Sequence, residues 1–117
     1  MAKILVIDDD PHLRRTVARV LTRGHHEVIE AADGSQGLDR FALHRPEIVI
    51  TDLLMPEKEG IETIRELRRI APLVRIVAMS GGGTDSDSIF LGMAKALGAD
   101  AILAKPFRAE ELLHVVG

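Results

Sequence analysis

The sequence contains no cysteine, no tryptophan and no tyrosine, and only three of its 117 residues are phenylalanine. The absence of cysteine excludes disulfides, thiolate metal sites and a cysteine nucleophile. The scarcity of aromatic rings excludes a platform on which nucleic-acid bases would stack. A formal net charge of -3 provides no broad basic surface for nucleic acid or for anionic lipid. We therefore expect no direct contact with nucleic acid.

Long hydrophobic runs are also missing. The apolar segment at residues 2–7 is too short for a signal peptide or for a membrane-spanning helix. We therefore expect a cytoplasmic protein that makes no membrane contact. A chain of 117 residues can bury one hydrophobic core but not two. Residues 1–117 are accordingly predicted to form one domain.

Short apolar runs alternate with helical patterns along the whole chain. The predicted strands cover residues 4–7, 26–31, 48–52, 75–79 and 101–104. Apolar residues at helical spacing follow each strand, within residues 13–21, 38–42, 61–70, 89–97 and 112–116. Strict alternation of this kind is typical of an α/β fold, with a parallel sheet covered by helices on both faces.

The ends of the first helix carry local signals of their own. Asp10 is predicted to be its N-cap and Pro11 its first residue. Gly24 is predicted to end it as the residue that takes the left-handed conformation. Gly98 is similarly expected to end the fourth helix.

Polar side chains stand where four of the five predicted strands end. Asp8 and Asp9 follow the first strand, Asp52 ends the third, Ser80 follows the fourth and Lys105 follows the fifth. The carboxyl ends of parallel strands lie at one edge of a sheet, which is where ligands bind in open α/β folds. By itself Asp52 would also suit the start of a loop or a helix cap. Together, the five side chains are expected to converge.

Three carboxylates that converge repel one another, and either protonation or a divalent cation would relieve the repulsion. Each like-charge pair at about 4 Å costs about 4 kcal/mol at an effective dielectric constant of about 20. Lys105 supplies only one positive charge, whereas carboxylate, carbonyl and water oxygens are the ligands that suit Mg²⁺. A bound cation, Lys105 and the Ser80 hydroxyl would together stabilise a phosphoryl group. Asp52 would be the nucleophile that forms an aspartyl-phosphate.

The motifs identify a family resemblance. In chain order they are Leu5-Val6-Ile7-Asp8-Asp9-Asp10, Asp52-Leu53-Leu54-Met55-Pro56 with Gly60, Met79-Ser80-Gly81, Gly98-Ala99-Asp100 and Lys105-Pro106-Phe107. The chain resembles a two-component response-regulator receiver domain over essentially its whole length. The resemblance implies a flavodoxin-like (βα)5 fold, with the five strands in the order 2-1-3-4-5.

The resemblance also implies a role for each acidic residue. Asp52 would be the phosphoacceptor. Asp8, Asp9, Asp52 and the backbone carbonyl of Leu54 would hold Mg²⁺, with Asp9 as a direct ligand and Asp8 acting through water and charge. The domain would catalyse only its own phosphorylation and dephosphorylation, so we do not expect a conventional enzyme.

The remaining motif residues would form the switch. Ser80 resembles the hydroxyl that turns toward the phosphoryl group, and Lys105 would pair with that group. The peptide bond before Pro106 is expected to be cis, and Gly60 is expected to adopt a backbone conformation closed to larger residues. Ile102 departs from the family pattern, because an aromatic residue usually occupies its position. Residues 81–88 are predicted to form a mobile loop.

The resemblance further implies the partners. The phosphodonor would be a histidine kinase or a histidine phosphotransfer protein. The fourth helix, the fifth strand and the last helix would form a surface that binds an unidentified downstream protein.

Two alternatives follow from the same residues. A phosphohydrolase of the haloacid-dehalogenase type also forms an aspartyl-phosphate and would use Asp8 and Asp10. That class usually has an acidic pair beyond the lysine, close to a strand end, whereas here Glu110 and Glu111 fall inside a predicted helix. The other alternative is a receiver-like interaction module that is never phosphorylated.

Overall fold

The computed structural model describes residues 1–53, 59–80, 92 and 95–117. The strands are β1 (Lys3–Ile7), β2 (Glu27–Ala31), β3 (Ile48–Asp52), β4 (Arg75–Ser80) and β5 (Ala101–Ala104). The helices are α1 (Pro11–Arg23), α2 (Gly34–His44), α3 (Glu59–Ile70) and a C-terminal helix (Ala109–Val116). Residues 92 and 95–97 are also helical, which confirms the described part of the predicted fourth helix. Within these ranges, no helix is both long enough and apolar enough to cross a membrane.

The five strands form one parallel sheet in the order β2-β1-β3-β4-β5. This confirms the predicted fold class and strand order. The register pairs Ile7 with Thr51, Asp52 with Met79, and Ser80 with Ala104. Adjacent strands therefore end almost level, and the residues at their carboxyl ends occupy one edge.

Both faces of the sheet are buried. Leu5 and Ile7 point into one core, against α2 and α3, while Ile4 and Val6 point into the other, with α1 and the C-terminal helix. All four side chains are completely inaccessible to solvent. A strand covered on both faces needs apolar residues at every position, which explains the uninterrupted apolar run in the sequence.

The start of α1 follows its sequence signals, and its end does not. The Asp10 carboxylate accepts hydrogen bonds from the backbone N–H groups of His12 at 2.9 Å and Leu13 at 3.3 Å, as an N-cap does. At the other end, Gly24 has a φ of -80°, and it is His25 that takes the left-handed conformation, with a φ of 67°. The prediction for Gly24 was therefore wrong by one residue.

Gly60 is required for a different reason from the one expected. Its φ lies outside the left-handed region, and among the described glycines only Gly98 has a positive φ, at 117°. A Cβ atom on Gly60 would overlap the carbonyl oxygen of Asp52 and lie 2.8 Å from the Cα atom of Leu53. The first turn of α3 thus packs directly against the end of β3, and only glycine fits this contact.

Arg68 joins the end of α3 to the start of two strands. Its guanidinium donates hydrogen bonds to the carbonyl oxygens of Val74 at 2.9 Å and Gly98 at 2.6 Å, and it pairs with the Asp100 carboxylate at 2.8 Å. The same Asp100 oxygen accepts a hydrogen bond from the backbone N–H of Ile76 at 2.8 Å. These contacts align the beginning of β4 with the beginning of β5.

Candidate functional site

The predicted acidic residues meet at the carboxyl edge of the sheet. Asp8 directly follows β1 and is completely buried, whereas Asp52 is the last residue of β3 and is 5% exposed. Asp9 is exposed. One carboxylate oxygen from each of the three lies within 4.8 Å of the other two. The expected convergence is therefore confirmed for these side chains.

Lys105 extends over this acidic cluster from the end of β5. Its Nζ atom lies 3.4 Å from Oδ2 of Asp52 and 3.7 Å from Oδ2 of Asp8. The peptide bond between Lys105 and Pro106 is cis, as expected from the family resemblance. One ammonium group thus contacts two carboxylates that come from two other strands.

Ser80 ends β4 beside this cluster and is completely buried. Among the residues that the structure describes, its Oγ atom has no hydrogen-bond partner. A buried hydroxyl without a partner costs free energy, because it has lost its hydrogen bonds to water. An incoming group with acceptor oxygens would restore that hydrogen bond.

Burial also makes the ionised form of the Asp8 carboxylate unfavourable. Its pKa is raised from the ordinary value of 3.8 to about 6, and the largest cause is desolvation by burial. The carboxylates of Asp52 and Asp9 raise the pKa further, while the backbone N–H of Asp10 and the charge of Lys105 lower it. The effects that raise the pKa are larger than those that lower it, so the surroundings do not fully stabilise the ionised carboxylate of Asp8.

The donor set fits Mg²⁺. It offers carboxylate oxygens from Asp8, Asp9 and Asp52, and Oδ2 of Asp8 is buried without a hydrogen-bond partner in the described part of the chain. Hard oxygen ligands of this kind suit a small divalent cation. The Leu54 carbonyl, which the family resemblance also assigned to the metal, lies outside the described residues. The predicted mobile loop at 81–88 lies outside them as well.

Two further residues, which the sequence motifs did not indicate, lie beside the site. Arg14 of α1 donates one hydrogen bond to the backbone carbonyl of Asp8 at 2.9 Å and another to the Glu30 carboxylate at 3.0 Å. Glu30 lies one residue before the end of β2, at the same edge of the sheet. The rule that polar residues near strand ends converge would have indicated Glu30, whereas nothing local to α1 distinguishes Arg14 from its neighbour Arg15.

The geometry of this edge agrees with a comparison against known families. Residues 4–117 match the family model of the response regulator receiver domain. The chain belongs to this family. The fold and the recognition predicted from the sequence motifs are thereby confirmed.

Comparison with individual relatives supports the same family assignment. The receiver domain is 32% identical over 115 residues to the chemotaxis protein CheY of Bacillus subtilis, covering 97% of this chain and 93% of the relative. It is 36% identical over 111 residues to the response regulator MprA of Mycobacterium sp. strain KMS, covering 95% of this chain but 47% of the relative. The solved structure of CheY4 from Vibrio cholerae superimposes with a TM-score of 0.88 at 30% identity, over 99% of this chain and 96% of that one.

The phosphohydrolase alternative finds no support in the receiver domain. The Asp10 carboxylate, which that mechanism would require for proton transfer, already accepts two backbone hydrogen bonds as the N-cap of α1. Beyond Lys105, the Glu111 carboxylate accepts a hydrogen bond from the backbone N–H of Arg108 at 3.1 Å, in the first turn of the C-terminal helix. These acids serve helix ends rather than a second catalytic pair.

Ile102 occupies the position at which the family usually has an aromatic ring. It is half-buried in β5, where it pairs with Ala78. Together with the C-terminal helix it lines an open cavity of about 460 Å³, to which Glu110 and His114 also contribute. An aliphatic side chain has no ring to rotate into this space, so we expect no aromatic rotation at this position.

Proposed function

We propose that this receiver domain accepts a phosphoryl group on Asp52 from a histidine kinase or a histidine phosphotransfer protein, in a reaction that requires Mg²⁺. The observation that carries the proposal is the position of the Lys105 ammonium group, 3.4 Å from Asp52 and 3.7 Å from Asp8. A cationic group beside a nearly buried carboxylate, at the ligand-binding edge of a parallel sheet, suits an incoming phosphoryl group.

The chemical step is a phosphoryl transfer in which Asp52 is the nucleophile. A carboxylate oxygen of Asp52 forms a bond to phosphorus as the phosphorus–nitrogen bond of the donor phosphohistidine breaks. The electron pair of the broken bond returns to the imidazole nitrogen. In dephosphorylation, water attacks the phosphorus and releases inorganic phosphate, which regenerates the Asp52 carboxylate. The domain catalyses only these two reactions of its own side chain.

Asp8 and Asp9, with Asp52 and the Leu54 carbonyl, are the residues proposed to hold the metal. When bound, Mg²⁺ would neutralise the charge that gathers on the phosphoryl oxygens. Asp9 would be a direct ligand, whereas the buried Asp8 would act through water and charge. Lys105 would then pair with the phosphoryl oxygens.

Ser80 and Lys105 would convert phosphorylation into a change of surface. Phosphorylation adds negative charge and acceptor oxygens, and the buried Ser80 hydroxyl and the Lys105 ammonium would contact them. A shift from 1% to 99% of the active state requires about 5.5 kcal/mol of differential stabilisation. A serine hydrogen bond contributes only about 1 kcal/mol, so the ionic contact with Lys105 must contribute a large share. The responding surface, which would bind a downstream protein, would include the fourth helix, β5 and the C-terminal helix.

Exposure to acetyl phosphate with Mg²⁺, followed by intact-mass spectrometry and peptide mapping, tests this proposal. We expect one labile phosphoryl adduct on Asp52 that disappears in Asp52→Asn and when EDTA replaces Mg²⁺. A protein that stays unmodified would be the unphosphorylated interaction module. Repeated turnover of unrelated phosphate esters would instead favour a phosphohydrolase. The cytoplasmic location stays a prediction.

A further inference from the structure

The guanidinium of Arg14 lies against the loop that joins β1 to α1. Its Nη1 atom donates a hydrogen bond to the carbonyl oxygen of Asp8 at 2.9 Å, and its Nε atom donates one to Oε1 of Glu30 at 3.0 Å. The Arg14 side chain is only 15% exposed. One acceptor in the loop after β1 and one in β2 therefore hold this side chain in one place.

The carbonyl that Arg14 binds determines the direction in which the chain leaves the sheet. The backbone N–H of Asp8 donates a hydrogen bond to the carbonyl oxygen of Ala31 at 3.1 Å. Asp8 is therefore the last residue of this segment that is hydrogen-bonded to β2. Because a peptide unit is planar, the orientation of the Asp8 carbonyl sets the position of the Asp9 backbone. In the part of the chain that the structure describes, no hydrogen bond restrains the exposed Asp9 carboxylate. Its position beside Asp8 and Asp52 consequently depends on the backbone.

Arg14 contacts this loop and β2 through two hydrogen bonds of fixed direction. A guanidinium presents several donors in a rigid planar arrangement, so it can satisfy two fixed acceptors at once. A lysine ammonium is a flexible point charge and does not hold two acceptors in a fixed relation.

We propose that Arg14 is a positioning residue for the metal site, because it holds the Asp8–Asp9 peptide in the orientation that presents Asp9 to the cation. This inference rests on the proposed function, since it concerns the affinity of the same site for Mg²⁺. Groups that orient metal ligands are typically worth about 10–100-fold in metal affinity. We expect Arg14→Ala to weaken Mg²⁺ binding by about tenfold.

The test is a calorimetric titration with Mg²⁺, performed on the wild type, Arg14→Ala, Arg14→Lys and Arg15→Ala. Arg15→Ala removes the same charge from the next position of α1, where the side chain is exposed, and it should leave the dissociation constant unchanged. Arg14→Lys should be intermediate. The rate of phosphorylation by acetyl phosphate should be reduced in Arg14→Ala at low Mg²⁺ and recover at saturating Mg²⁺, as expected for lost affinity without lost chemistry.

Several results would overturn the role of Arg14. These are a dissociation constant in Arg14→Ala within twofold of the wild type, an equal loss in Arg15→Ala, or a rate that stays low at saturating Mg²⁺. If Arg14→Ala fails to fold, Glu30→Gln replaces it. That variant loosens Arg14 without removing it and should raise the dissociation constant by a smaller factor, and an unchanged value would overturn the proposal. A wild type that binds no Mg²⁺ contradicts the proposed function itself, which is a separate outcome.

Discussion

The backbone N–H of Lys105 donates a hydrogen bond to the carbonyl oxygen of Ser80 at 2.8 Å. This bond continues the pairing of β4 with β5 by one residue beyond Ala104. It joins the backbones of the two residues proposed to contact the phosphoryl group, so a displacement of one is transmitted directly to the other. The two side chains nevertheless differ in what they supply, since one is a neutral hydroxyl and the other a cation.

Lys105→Ala is expected to uncouple phosphorylation from the change in surface, whereas Ser80→Ala should only weaken that change. The ammonium group supplies an ionic contact, while the hydroxyl supplies one hydrogen bond of about 1 kcal/mol. Amide chemical shifts of β5 and the C-terminal helix, recorded before and after treatment with acetyl phosphate and Mg²⁺, measure the response. A Lys105→Ala protein whose shifts change as fully as those of the wild type would contradict this assignment.

In the absence of Mg²⁺, the free energy of unfolding should decrease as the pH rises from about 4 to above 6. The folded state raises the pKa of Asp8 from 3.8 to about 6, so between these values it holds a proton that the unfolded chain releases. Folding stability therefore falls with rising pH, by at most about 3 kcal/mol from this one group.

Urea denaturation across this pH range measures the effect, with Asp8→Asn as the control. The neutral amide cannot ionise, so the variant should lose this component of the pH dependence. Mg²⁺ affinity should rise over the same interval, because the cation competes with the proton for Asp8. Identical pH profiles for the two proteins would exclude Asp8 as the titrating group.

Two glycine substitutions should have opposite effects on stability. Gly60→Ala places a Cβ atom against the backbone of Asp52 and Leu53, and we expect it to destabilise the fold by about 1–3 kcal/mol. Gly92 is an exposed helical residue, and among the residues that the structure describes, a Cβ atom on it would meet nothing within 4 Å. Gly92→Ala should stabilise the protein by about 0.5–1 kcal/mol, because alanine favours the helix.

Thermal and urea unfolding of the two glycine variants provide the comparison. A Gly60→Ala protein as stable as the wild type would show that α3 moves away from β3 without cost. Gly60→Ala should also reduce the rate of phosphorylation at Asp52, since the contact it disturbs involves the carbonyl oxygen of the proposed phosphoacceptor. Gly92→Ala should leave that rate unchanged.

Arg68→Ala should destabilise the fold much more than Arg65→Ala. The Arg68 guanidinium contacts the carbonyl oxygens of Val74 and Gly98 and the carboxylate of Asp100, and hydrogen bonds to a charged group contribute about 1.5–3 kcal/mol each. Arg65 is an exposed residue on the same helix, so its removal should change the free energy of unfolding by less than about 0.5 kcal/mol. Equal effects of the two variants in urea denaturation would mean that the Arg68 contacts contribute no stability.

The secondary structure and the location of the site were predictable because their determinants are local. The run from Ile4 to Ile7 indicated a strand buried on both faces, and Asp10 with Pro11 indicated where α1 begins. Asp8, Asp52 and Lys105 could be assigned to one edge because the ends of parallel strands coincide whatever their order. The order of the strands came from the family resemblance rather than from spacing.

Other features depend on segments that meet only when the chain folds. The contact of Gly60 with Asp52, the hydrogen bonds from Arg14 to Asp8 and Glu30, and those from Arg68 to Gly98 and Asp100 are of this kind. Each is set by the distance between a helix and a strand, which no local pattern encodes. The sequence alone thus determined which elements form and which side chains reach the carboxyl edge of the sheet. Only the tertiary structure decided that Gly60 and Arg14 hold that edge in place and that Arg68 aligns the opposite edge, because packing distances are properties of the assembled fold.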